Sequence, residues 1–456
     1  MRLPPAKPSL VILLLILLFK VPDQMPAFKD YKVLDWHSIP KVLDFTPRRV
    51  SADPVDEEEL RLHPDRDPSN YKIYRIDSPE GSLTRFYEAL RRTELKEPGA
   101  VTRIVHYGDS PTTADLITGD VRTLLQKHFG DGGHGYCLIA KPWEWYGHDG
   151  VSMQSGGWEV EVPTQTRASD GFYGLGGASF RGAPGSWAQF TARHAGHTSV
   201  EISFQYQPGG GNVLLYANDQ PVGQAETGAA PAGPGWTTLE VPAAARRFRL
   251  SVYGGPVRVY GVRFSKPGPG VEFDSLGLNG AYISVLGRMF NEAHWAAQLR
   301  HLHPDLVIIN YGTNESAYAT YVDKYYAREL RNVVRRVRAA VPQASLLLMS
   351  PMDRGVRQTG GEIGTVPGIP RLVAIQQQVA GEADAAFFNT FQAMGGPGTM
   401  GRWYEAEPRL VGGDFIHPMP KGAKIVGNLL YQALFDGYNR FKVSRMRKQY
   451  AEVSRK

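Results

Sequence analysis

The sequence predicts an α/β protein: a parallel sheet covered by helices on both faces and interrupted by a long all-β segment. Three observations carry this. Continuous apolar runs such as 305–311 (DLVIINY) and 345–349 (SLLLM) alternate with helix-length amphipathic patterns, as buried parallel strands and their crossover helices do. Between about 150 and 268 the pattern changes to short alternating runs separated by Gly, Pro and Asn turns, the mark of a sandwich or jelly roll. Three candidate strands end in Gly108-Asp109-Ser110, Asn279-Gly280 and Gly312-Thr313-Asn314, and such turns gather at the carboxyl edge of a parallel sheet.

Composition bounds the answer. With 456 residues, 42% hydrophobic and 21% charged, the chain is globular and long enough for two domains. A net charge of +6 is too diffuse over that length to indicate nucleic acid as a partner. The single Cys137 excludes an internal disulfide and a cysteine-rich zinc site, and neither metal nor cofactor is expected.

At the N-terminus, Arg2 and Lys7 precede an unbroken apolar run over 10–19, and no small-x-small cleavage site follows. We read 1–21 as an uncleaved signal-anchor or transmembrane segment in the inner membrane, with the rest on the exported side. Secretion after cleavage of a signal peptide is the alternative. Residues 22–80, rich in Pro and charge, read as a tether.

The α/β part follows in two pieces, 81–149 and 270–436. Residues 82–96 form the leading helix, with Leu83, Phe86, Tyr87 and Leu90 on one side and Pro98-Gly99 as its stop. The opening strand from 101 runs into Ser110, and 114–129 reads as the next helix. A glycine-rich stretch, GDGGHGY at 130–136, precedes the aromatics Trp143, Trp145, Tyr146 and Trp158. The inserted module, 150–269, carries strand patterns at 198–207, 212–219, 236–242, 246–254 and 257–266, and closes at 266–270 (KPGPG). Alternation then resumes with strands at 271–278, 305–311, 345–349 and 386–389. Helices fall at 283–302, 319–340, 371–383 and 421–435, with a basic tail over 437–456.

The polar turns supply acyl-transfer chemistry. A serine where a strand turns into a helix presents its hydroxyl at the sheet edge, suited to a nucleophile. Asp414 and His417, three residues apart in a late loop, can meet within one turn, so that the carboxylate fixes the imidazole tautomer. Ser110 then attacks an ester carbonyl, and His417 takes its proton. The backbone N–H groups of Ser110 and Gly280 and the side chain of Asn314 hold the oxyanion. His106, inside a strand, reads as a packed histidine. His134 and His148 read as surface histidines, Asp109 as a turn residue, and Asp115 and Asp120 as helix-surface acids. Trp143 and Trp145 are candidate sugar-stacking residues.

These blocks, in this order, resemble those of the SGNH (GDSL-type) hydrolases: GDS at 108–110, Gly280 after the next strand, G-T-N-E at 312–315 and D-x-x-H at 414–417. The four residues that name the family map to Ser110, Gly280, Asn314 and His417. The resemblance covers about 82–149 and 270–436. It implies a flavodoxin-like three-layer α/β/α fold and ester cleavage by a Ser-His-Asp triad. HYGDS, GDGGHGY and LGLNGA are similar to SGNH enzymes with a β-module between the first two blocks. Some peptidoglycan O-acetylesterases are of this kind, and their module resembles a carbohydrate-binding domain. Pro111-Thr112-Thr113 departs from the His-x-Gln-like sequence that many relatives carry after the nucleophile.

The expectation is therefore an exported serine esterase that removes O-acyl, most simply O-acetyl, groups from a cell-envelope polysaccharide. A polysaccharide O-acetyltransferase with the same triad is one alternative. A non-catalytic sugar-binding envelope protein is the other.

Overall fold

The computed structural model describes residues 73–453, which fall in one compact unit. The expected signal-anchor at 1–21 and the 22–72 part of the tether lie outside the described residues. Among the described residues no helix is long and apolar enough to cross a membrane.

Five parallel strands form the central sheet: β1 (Val101–Gly108), β11 (Gly270–Gly277), β12 (Leu306–Asn310), β13 (Ser345–Met349) and β16 (Ala386–Phe388). Their order across the sheet is β11-β1-β12-β13-β16, which counted along the chain is the flavodoxin-like 2-1-3-4-5. Each strand is apolar on both sides. Ile104, Phe273, Ile308 and Leu347 face helices α1 (Thr84–Glu94), α2 (Leu116–Phe129) and the long C-terminal helix. Val105, Leu276, Val307 and Leu348 face α3 (Glu292–Leu302), α4 (Ala327–Ala340) and α5 (Gly368–Glu382). Three layers result, because a strand buried on both faces needs a cover on each. After α6 (Thr399–Glu405), the last helix, α7, runs unbroken from Pro420 to Val453. Lys442 pairs with Glu94 of α1 at 2.9 Å, so the basic tail is in part a packed helix.

Nine antiparallel strands form the second sheet. Its path is β7 (Gln220–Glu226), β6 (Asn212–Ala217), β9 (Arg247–Tyr253), β4 (Ser179–Ala192), β10 (Val257–Ser265), β5 (Ser199–Tyr206) and β8 (Gly233–Glu240). To this path β2 (Gly133–Cys137) adds at β10 and β3 (Val151–Glu161) at β4. Strand β4 pairs β10 through 180–182 and β9 through 187–191. Leu239 of β8 packs over Gly223 of β7, so the sheet curls around one apolar filling. The antiparallel strands thus begin at Gly133, ahead of Gly150. Their core runs on without a break into the α3–α5 side of the parallel sheet.

Buried charge joins the two sheets. Arg263 of β10 donates to Asp274 of β11 at 2.6 and 3.0 Å and to Glu272 at 3.2 Å. Both carboxylates and the guanidinium are almost fully buried.

Candidate active site

The site lies at the carboxyl ends of β1, β11 and β12, beside the point where strand order reverses, as expected for this topology. Gly108 closes β1, and Ser110 begins a single helical turn, Ser110–Thr113. That turn is tight: the Thr112 N–H donates to Asp109 O at 3.1 Å, and Thr113 Oγ1 donates to the same oxygen at 3.4 Å. Gly277 at the end of β11 lies directly under it. A Cβ there would meet Thr112 C at 2.5 Å and Thr113 Cα at 2.6 Å.

Ser110, His417 and Asp414 come together as one relay. His417 Nε2 lies 2.8 Å from Ser110 Oγ, and His417 Nδ1 lies 2.6 Å from Asp414 Oδ2. Asp414 Oδ1 accepts the backbone N–H groups of Ile416 at 3.0 Å and His417 at 3.1 Å. Burial alone would raise the Asp414 carboxyl. The His417 side chain and the two N–H groups outweigh it and hold the acid below the usual carboxylate value. Phe415, between them, has φ +57°, so the loop doubles back and both side chains reach one side. Its carbonyl accepts the Gly355 N–H at 2.9 Å. Gly355 belongs to a small hairpin, β14 (Gly355–Arg357) and β15 (Ile363–Thr365), that glycine-rich sequence hid. The Phe415 ring sits edge-on to Tyr404 at 4.9 Å.

The oxyanion candidates lie on two cross-linked loops. Gly280 has φ +68° with open space at its Cα. Asn314 Nδ2 donates to Ala281 O at 3.0 Å, which fixes the amide and leaves its second hydrogen available. A second tie runs the other way: the Ile283 N–H donates to Glu315 Oε1 at 2.7 Å. Glu315 is fully buried, and burial pushes its carboxyl up to about 8, more than the Ile283 bond offsets. Asp109, also buried, is pushed up to about 6 by desolvation against the hydrogen bonds of Thr313 and the charge of His417. Neither carboxyl belongs to the relay. In the sequence Glu315 stands only as the last letter of the G-T-N-E block, with no role of its own assigned to it.

Other sequence readings need correction. Asp115 is not a helix-surface acid. It is 1% exposed, and its carboxylate accepts from Arg122 at 2.6 and 3.2 Å, Thr118 Oγ1 at 2.6 Å and the Asp149 N–H at 2.8 Å. This cage anchors the start of α2 and the 141–149 loop behind the serine turn. His148 is buried and His134 is half-buried rather than on the surface, with His134 Nδ1 2.8 Å from His197 Nε2; burial lowers the affinity of all three rings for a proton. His106 is packed in the core as expected, its proton affinity pushed down to about 4 by burial. Trp143 is only 5% exposed and packs in the core, so no sugar can stack on it. Trp145 is exposed on the same loop, which touches the serine turn through Gly147 N–H to Thr113 O at 3.4 Å. Among the described residues no group of three or more His, Cys, Asp or Glu is arranged to hold a metal ion.

Residues 232–425 match the model of the GDSL-like lipase/acylhydrolase family. Over that segment the chain is similar to the GDSL-type acylhydrolases, and it is a hydrolase of ester bonds. The match holds Gly280, Asn314, Asp414 and His417 and stops short of Ser110, because the antiparallel strands separate the serine from the other GDSL blocks in sequence. No curated protein sequence matches the chain. Among solved structures, a peptidoglycan O-acetylesterase superposes with a TM-score of 0.68 at 23% identity, covering 80% of this chain and 99% of its own. A family two carbohydrate esterase from Clostridium thermocellum, solved with cellohexaose, matches at a TM-score of 0.28 and 12% identity over 63% of this chain and all of its own. A GDSL-like lipase from Parabacteroides merdae matches at 0.27 and 17% over 36% of this chain and 72% of its own.

Proposed function

We propose that this chain is an exported serine esterase that removes O-acyl groups, O-acetyl in particular, from a cell-envelope polysaccharide such as peptidoglycan. The observation that carries it is the 2.8 Å approach of His417 Nε2 to Ser110 Oγ, with Asp414 behind the imidazole. Ser110 Oγ attacks the acyl carbon as its proton passes to His417 Nε2. The carbonyl oxygen becomes an oxyanion held by the N–H groups of Ser110 and Gly280 and the free amide hydrogen of Asn314. The bond between the acyl carbon and the sugar oxygen then breaks, the sugar oxygen takes the proton from His417 and leaves as a hydroxyl, and the acyl group stays on Ser110 as an acyl-enzyme. Water then attacks the acyl carbon and gives a proton to His417, the acyl carbon–Ser110 Oγ bond breaks, His417 returns the proton to Ser110 Oγ, and the carboxylic acid leaves.

Exposure favours water as acceptor. The side chains of Asp414 and His417 are 48% and 47% exposed, so the relay stands open to solvent, where a transferase needs water kept away from its acyl-enzyme. The antiparallel strands, as a carbohydrate-binding module, and an N-terminal signal-anchor belong to the same proposal. So does Trp145 as a sugar contact. The peptidoglycan substrate of the structural neighbour at TM-score 0.68 lends it support.

The test is acetate release from O-acetylated peptidoglycan, with p-nitrophenyl acetate as a small ester, by wild type and Ser110→Ala. We expect release from both substrates and a loss of at least about a thousandfold in the variant. Equal turnover by the two proteins removes Ser110 as nucleophile. Hydrolysis of the small ester without acetate release from the polymer removes peptidoglycan as substrate.

A further inference from the structure

Four tyrosines lie on the two segments that leave the oxyanion loops. Tyr282 follows Gly280 by two residues, and Tyr318 follows Asn314 by four; Tyr321 and Tyr325 continue the second segment. Their rings form a ladder. Tyr282 and Tyr318 are 6.2 Å apart between centroids, Tyr282 and Tyr321 5.4 Å, and Tyr321 and Tyr325 5.9 Å. The guanidinium of Arg328 covers one side of Tyr325 at 5.5 Å.

Packing does not account for the ladder. Tyr318 is 58% exposed and Tyr325 42%, which is unusual for large rings placed side by side. The backbone is irregular at both segments. Val285–Met289 and Val322–Tyr326 are π turns, features that gather at functional sites. In the second, Val322 and Tyr326 are fully buried while Tyr325 is turned out, so the core is filled by one pair and the tyrosine left over faces solvent.

The geometry points to a glycan subsite: we propose that the Tyr318–Tyr282–Tyr321–Tyr325 ladder binds the pyranose rings of the polysaccharide flanking the acylated sugar, with the exposed Tyr318 and Tyr325 as its sugar-facing rungs and Tyr321, its hydroxyl buried, as support. An exposed tyrosine offers an apolar face and a wet hydroxyl edge. A pyranose offers the complement, a C–H face rimmed by hydroxyls. The ring spacing is close to the advance of one unit along a β-1,4 chain. Two of its rings, Tyr318 and Tyr282, follow closely in sequence on the two loops that the Asn314–Ala281 hydrogen bond ties together, so a chain with its acyl group in the oxyanion site has the tyrosines next along its path. This rests on the polysaccharide esterase reading, and its test separates the two.

Full-length protein carrying Tyr318→Ala and Tyr325→Ala is compared with wild type on O-acetylated peptidoglycan and on p-nitrophenyl acetate. In a Ser110→Ala background, binding of N-acetylglucosamine pentasaccharide is titrated with and without the tyrosine changes. We expect the ratio of kcat/KM on polymer to that on the small ester to fall about tenfold, through KM, and the pentasaccharide Kd to rise about tenfold. Tyr318→Trp is expected to retain most of both. An unchanged ratio with unchanged Kd, or equal losses on the two esters, overturns the ladder. Acetate release that does not depend on the tyrosines overturns it while leaving the esterase reading intact. Tyrosine-dependent pentasaccharide binding without acetate release keeps the ladder and overturns the O-acetyl reading. Neither binding nor release overturns both.

Discussion

At the scale of one side chain, the proposed oxyanion site rests on Asn314. One amide hydrogen is committed to Ala281 O, and under the proposed mechanism the other meets the charge that develops on the substrate oxygen. Asn314→Ala should lower kcat by about a hundredfold to a thousandfold, with a much smaller change in KM, measured on p-nitrophenyl acetate. A loss confined to KM argues against the role. Glu315 sets a second prediction. Its folded carboxyl titrates near 8 against an ordinary value of 4.5, the rise coming from burial. A raised acid is protonated in the fold while the unfolded chain has already released its proton. Stability is therefore fully present below 4.5 and is lost as pH climbs through 8, by at most about 1.4 kcal/mol per pH unit for one proton. Glu315→Gln should flatten that decline in urea midpoints read from pH 5 to 8. An unaltered decline assigns it elsewhere. In the sequence Glu315 was only the last letter of a family block, because a carboxylate shows its burial through partners distant in the chain.

The D-x-x-H loop is legible at the level of the element because its contacts are local: Asp414 caps its own turn and reaches His417 three residues on. What supports that loop was not legible. Gly355 on β14 holds the Phe415 carbonyl, and a stretch with glycines at 355, 360, 361 and 364 gives no alternation by which to see a hairpin. Strand β3 was hidden for a similar reason, since its register shifts between Gly156 and Trp158 and breaks the period of two. The long strands of the parallel sheet were legible, because burial on both faces writes itself as an uninterrupted apolar run. A Cβ at Gly355 would lie 2.7 Å from Phe415 Cβ and 2.8 Å from Ile363 Cγ2. Gly355→Ala should therefore shift the histidine loop and lower kcat by about tenfold or more, since misplacements of an ångström carry such costs. Unaltered kcat in the folded variant means the hairpin does not position His417.

Across the whole molecule, the two sheets depend on each other through Arg263. Removing it leaves Asp274 and Glu272 facing each other without their shared cation, and breaking a buried pair on one side costs about 3–5 kcal/mol. Arg263→Ala should lose about that much in chemical denaturation. Arg331→Ala should cost no more than about 1 kcal/mol, since its pair with Glu382 is exposed on both sides. Equal losses would mean that Arg263 does not join the sheets. The general architecture followed from the change of period near 150, but the junction did not: nothing in Gly133–Cys137 announces a strand that pairs with β10.

That junction also bears on how the chain finds its fold. Strand β1 carries the serine, yet its neighbours β11 and β12 both come after the antiparallel strands. Aligning Gly108 with Gly277 directly closes a loop of about 170 residues. Once β2 lies on β10, only about 40 residues, on the two sides of that pairing, remain to be closed. Because closure entropy grows as three-halves RT ln n, the second route is easier by about 1.3 kcal/mol, roughly tenfold in rate. The antiparallel strands should therefore zip first and bring the serine strand to its partners, and pulse-labelled hydrogen exchange during refolding should find β10 amides protected before those of β1; simultaneous protection would rule this order out.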